Sequence, residues 1–102
     1  MLDRIERSVF AENLKTKFKA SLEGMNAVEL ELVEIVDNVS TPRQEQFALE
    51  FHGPANTFLP QQMYRVEHES IGTFDLLLVP VGKHENGFAY EAVFNRLIPK
   101  SE

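Results

Sequence analysis

At 102 residues, with 43% apolar and 25% charged side chains, the chain has the length and composition of one globular domain. It has no cysteine, which excludes thiol catalysis, disulfide frameworks and thiolate zinc sites. The formal net charge of −6 argues against non-specific binding to nucleic acid or anionic membrane.

Eight Phe and two Tyr supply bulky core candidates, so the domain can bury a core without a metal staple. No apolar run reaches membrane-span length and the N-terminus lacks an apolar signal region, so a cytoplasmic protein is expected.

The first elements are helical. Leu2, Ile5, Val9 and Leu14 recur near helical spacing over residues 1–15, and Ser8 can N-cap a second short helix that carries Phe10 and Leu14. From Thr16 the period becomes two, and residues 16–98 read as antiparallel sheet. Phe18, Ala20 and Leu22 alternate with polar residues, then Val28, Leu30 and Leu32 do the same. A short loop closing at Asn26 pairs Leu22 with Val28, Ala20 with Leu30 and Phe18 with Leu32. Lys15, Lys17 and Lys19 then read as lysines along a solvated edge. After Leu32 the alternation slips to Val33 and Ile35, which predicts a β-bulge at Leu32–Val33.

Residues 37–45, with Thr41-Pro42, read as a loop, and Gln46 to His52 as the next strand. The segment 57–61 reads as an ordered loop that tucks Phe58 and Leu59 against an end of the sheet. Pairing Phe51 with Tyr64 sets Leu49 opposite Val66, Phe47 opposite His68 and Glu50 opposite Arg65. A turn at Ser70-Ile71-Gly72 sets His68 against Phe74, Val66 against Leu76 and Tyr64 against Leu78. A loop at 82–86 leads to the last strand, 88–97, where Tyr90, Ala92 and Phe94 face inward. The expected fold is all-β with one N-terminal helix. Its six antiparallel strands form a meander in sequential order, curled strongly or closed as a barrel to remove its edges.

Three stretches carry a family resemblance: FHGP from Phe51, LPQQMYRVEHESIGTFDLLLVPVG from Leu59, and YEAVFNR from Tyr90 to Arg96. With Phe10, Leu14 and Phe18 at the start, they resemble a family of small bacterial domains of unknown function, over roughly residues 8–96. Pro60-Gln61-x-x-Tyr64 and Tyr90-Glu91-Ala92-Val93-Phe94-Asn95 are the most specific parts. The resemblance implies a stand-alone bacterial domain with no assigned activity. It carries a loose association with phage-tail-like gene neighbourhoods, hence with an assembly or accessory role.

No catalytic set emerges. His52 and His68 lie on opposite faces about 17 Å apart along the predicted strands, and His84 falls in a hairpin loop, so the histidines form no metal site. Glu67 opposite Asp75, near Glu69, could hold calcium or act as an acid/base couple. An open sheet face without a ligand loop favours plain solvation instead. No serine lies in a nucleophile elbow, and the glycines are scattered singly at turns. No cofactor is implied.

Leu76 to Val81 is different, because it is apolar at consecutive positions. With Leu76 and Leu78 inside, Leu77, Val79 and Val81 face out beside Met63 and Val93, and Val79 opposes Ala89. That strip is a candidate interface, to be covered by the N-terminal helix, a protein partner or a second copy. The leading expectation is a non-enzymatic interaction or assembly module. The alternative is a small-ligand barrel with Tyr64, His68, Tyr90 and Phe94 lining its pocket.

Overall fold

The computed structural model describes the backbone of residues 5–41 and 44–97 and the side chains of 5–37 and 46–95. A short helix α1 (Arg7–Ala11) precedes β1 (Lys17–Ser21), β2 (Val28–Thr41), β3 (Gln44–Pro54), β4 (Gln62–His68), β5 (Gly72–His84) and β6 (Gly87–Leu97). All neighbouring strands are antiparallel, and the sheet closes into a barrel in the order β1-β2-β3-β6-β5-β4. The all-β class, the six antiparallel strands and the closure match the sequence reading. The strand order does not.

β3 pairs with β6 rather than β4, over the whole ladder from Gln44–Leu97 to Pro54–Gly87. This ladder stacks inward residues against each other, Phe47 on Phe94, Leu49 on Ala92 and Phe51 on Tyr90. β4 closes the ring against β1, with Ala20 opposite Val66 and Ser21 opposite Arg65. β3 and β4 therefore stand across the barrel from each other, and the chain between them must cross its mouth. Alternation specifies which face a residue takes, and is silent about which strand lies beside it.

Three registers differ from expectation by two residues, each with the inward face preserved. Phe18 pairs with Leu30 and Ala20 with Val28, because the β1–β2 loop is longer and takes its left-handed residue at Gly24 (φ 87) instead of Asn26. Val66 pairs with Phe74 and Tyr64 with Leu76, the turn ending at Gly72 (φ 106). Val79 opposes Glu91, not Ala89, and a register shift between Pro80 and Gly82 follows. A two-residue slip leaves every side chain on its own face, so only loop length decides it.

The bulge is where the sequence places it. Leu32 pairs with Phe51 and Glu34 with Glu50, leaving Val33 as the extra residue. The loop expected at 37–45 is instead mostly strand, since β2 runs to Thr41 and β3 starts at Gln44. Pro42 of the predicted turn, like Leu2 of the predicted helix, lies outside the described residues.

Helix α1 is far shorter than the periodicity over 1–15 suggests. Glu6, not Ser8, occupies the N-cap position, without a side-chain cap. A five-residue helix lacks the length to hold itself together. What holds it is tertiary. Phe10 is fully buried, its ring 6.1 Å from Phe74 and 5.5 Å from Phe94, and Arg7 donates two 2.7 Å hydrogen bonds to the Asp37 carboxylate. The β5–β6 ladder runs only as far as Val79–Glu91 on that side, and Phe10 fills the barrel where the ladder has ended. The helix thus plugs an end instead of covering the outer strip. Leu14, expected beside Phe10, is exposed.

The opposite end is closed by the crossing segment 55–61. Leu59 is 2% exposed, and its N–H donates to the Tyr90 hydroxyl at 2.9 Å. The Tyr64 hydroxyl donates to the Pro60 carbonyl. Phe58, expected to tuck in with Leu59, stays half outside with its ring edge against Phe88. Between the two plugs the barrel is filled with Phe18, Leu30, Leu32, Phe47, Leu49, Phe51, Val66 and Leu78. Gly53 belongs to that packing, because a Cβ there would lie 2.7 Å from Leu30 Cδ2 and 3.2 Å from the Tyr90 ring.

Candidate functional site

The inward polar residues serve the core. His68 is 8% exposed, on β4 beside the Phe18 ring. Its Nδ1 accepts the N–H groups of Ser70 (3.0 Å) and Ile71 (3.3 Å), which places the ring proton on Nε2, donated to Thr16 Oγ1 at 2.8 Å. Thr16 in turn donates to the Asn13 carbonyl at 2.6 Å. That polarity is the reverse of a nucleophile–base pair, in which the histidine nitrogen must accept from the hydroxyl. Burial pushes the His68 pKa below its ordinary value, against an opposing pull from Glu69. Burial, and secondarily Tyr90, pushes the Tyr64 phenol upward.

The four residues of the candidate pocket are therefore brought to the inner face but not to one place. Tyr64 and Tyr90 brace the plug at one end, while His68 holds the β4–β5 turn at the other. Phe94 stacks on Phe47 with centroids 4.8 Å apart. A cleft of about 340 Å³ lies outside the braced end, between Leu22, Met25, Phe58 and Pro60.

The predicted carboxylate group separates. Asp75 lies opposite Arg65, Nε to Oδ1 3.7 Å, and Glu67 lies opposite Thr73. The lysines are not on an edge. Lys19 sits between Glu29 and Glu67, and Lys17 opposite Glu31. Among the described residues no group of three or more His, Asp or Glu side chains could hold a metal.

Two histidines meet in a way the sequence did not suggest. His84 ends β5 as part of the strand, and its ring stacks on His52 with centroids 4.0 Å apart and planes 12° from parallel. Gly87, opposite His84 on β6, packs so tightly on β3 that a Cβ there would lie 1.9 Å from the Gly53 carbonyl oxygen. His84 Nδ1 accepts the Asn86 N–H, and Nε2 donates to the Gly53 carbonyl. His52 Nε2 lies 3.0 Å from a Glu50 carboxylate oxygen. Nothing in sequence spacing links positions 52 and 84; the link is the β3–β6 pairing.

The outer face carries the remaining feature. Met63 and Leu77 form a cross-strand pair and are 57% and 44% exposed. On β6, Val93 is 60% exposed and pairs with Ala48 of β3, which pairs with Val36 of β2, itself exposed. Val81 is exposed at the β5 bulge, and Val79 is half-buried opposite Glu91. Val36 was missed by the sequence reading, although it directly follows Ile35, which faces inward opposite Leu49. One ladder step away runs a parallel row of like charge, Glu34 opposite Glu50 opposite Glu91.

A family model described as a domain of unknown function matches residues 5–94. No curated protein and no solved structure matches the chain. No helix among the described residues is long and apolar enough to cross a membrane.

Proposed function

The chain belongs to the DUF6916 family, whose description names no activity, and we propose that it is a non-enzymatic interaction or assembly domain acting through its outer face. One observation carries this reading. Aliphatic side chains at Met63, Leu77, Val93 and Val36 remain exposed after α1, the obvious intramolecular cover, has turned Phe10 into the barrel end. Each of these side chains is already about half-buried and forgoes about half of the roughly 1.5–3 kcal/mol of full burial, which a partner would recover. The interior supports the same reading, because its polar groups are already bonded to one another and to backbone.

The test is site-specific photo-crosslinking from position 77 or 93 of the whole chain in its native host. A discrete adduct is expected from these positions and not from position 19 or 67. No adduct from 77 and 93, or the same adduct from all four, overturns the proposal.

A further inference from the structure

Resting on that reading, we propose that the outer face of β2, β3 and β6, completed by Leu77 of β5, docks an amphipathic helix of another protein. The apolar ridge of that helix is bordered by lysines or arginines.

The occupant follows from how the two rows are laid out. Val36, Ala48 and Val93 run across three adjacent strands, and Glu34, Glu50 and Glu91 run across the same three strands one step away. Residues two apart on a strand are about 6.8 Å apart, within the width of a single helix. From β2 to β6 is two strand spacings, about 10 Å, or about six or seven residues of helix, and Leu77 lies beyond them, past the end of the β5–β6 ladder. A helix lying along the apolar row therefore brings one of its flanks over the carboxylates.

The sign of that flank is set by what the chain leaves uncompensated. Like charges directly opposite on neighbouring strands destabilise a sheet. No lysine or arginine pairs with Glu34, Glu50 or Glu91 among the described residues. His52 reaches only Glu50. The barrel does offset its carboxylates elsewhere, with Lys19 placed between Glu29 and Glu67 and Lys17 opposite Glu31. At the Leu77 end of the face, Asp75 already has Arg65 opposite it across the β4–β5 ladder. A cationic partner flank completes a row that has no lysine or arginine partner among the described residues, on a chain of net charge −6.

A second copy fits this face less well. It would bring a further three carboxylates of the same kind. The exposed aliphatic side chains also offer only on the order of a few hundred Å², against about 800 Å² per partner in a standard stable interface.

The test uses the intact protein and a fluorescent Leu–Lys amphipathic peptide of about 14 residues, with a Leu–Glu peptide of the same pattern as comparison. Anisotropy titrations are expected to show saturable binding of the Leu–Lys peptide. Val93→Asp, and separately the pair Glu50→Gln with Glu91→Gln, should each weaken it at least about tenfold. The pair Glu29→Gln with Glu67→Gln, which removes as much charge elsewhere, should leave it unchanged. Equal binding of the Leu–Glu peptide overturns the basic partner while leaving the docking face intact. Indifference to Val93→Asp, equal loss in the Glu29/Glu67 pair, or no binding of the Leu–Lys peptide overturns the site itself.

Discussion

Replacing Phe10 with alanine tests how the N-terminal segment is used. The Phe10 ring is fully buried and lies against both Phe74 and Phe94. Truncating a buried phenylalanine costs about 3–5 kcal/mol, through lost transfer energy and the cavity left behind. At about 4–8 °C per kcal/mol for a domain of this size, the midpoint of thermal unfolding should fall by at least about 12 °C. Leu14→Ala, four residues further on at a position 38% exposed, should cost within about 0.5 kcal/mol. Circular dichroism melts of both variants beside the parent, with urea unfolding to give free energies, make the comparison. A Phe10→Ala midpoint within about 4 °C of the parent would refute the plug, because a helix lying loosely on the outside would yield that result.

Three further outcomes follow from the packing. His68 is held neutral with its pKa below the ordinary 6.5, so the unfolded chain takes up its proton first as pH falls. Its contribution is therefore complete above 6.5 and is lost as pH drops below that value towards and through the folded-state pKa; urea midpoints should show this slope in the parent and lose it in His68→Phe. Gly87→Ala should cost several kcal/mol, since its Cβ would meet backbone at 1.9 Å, whereas Gly82→Ala, with nothing within 4 Å, should stay within about 1 kcal/mol. Tyr90→Phe leaves the buried Leu59 N–H without its acceptor and should cost about 1–3 kcal/mol by the same assay.

What was legible in the chain was the inside and outside of each strand. Phe47-Leu49-Phe51, Tyr64-Val66-His68 and Tyr90-Ala92 all face inward as their alternation requires, and the extra residue at Val33 shows where the face had to be restored. Neighbour order was not legible, because β4 and β6 present equally apolar inner faces to β3. The longer ladder to β6 wins, and it sends 55–61 across the mouth. Registers slipped by two because alternation is blind to even shifts. Of the candidate site, Met63, Leu77 and Val93 could be placed on the outer face from period two alone. Their border of carboxylates could not, since Glu34, Glu50 and Glu91 come from three strands whose adjacency depends on the ring.

The outer-face account is tested most directly by methyl NMR of the protein, labelled at Met, Val and Leu, titrated with the Leu–Lys peptide. Shifts confined to Val36, Met63, Leu77, Val79 and Val93 are the predicted result. Movement instead at Leu22, Met25 and Val28, around the cleft at the barrel mouth, would contradict it.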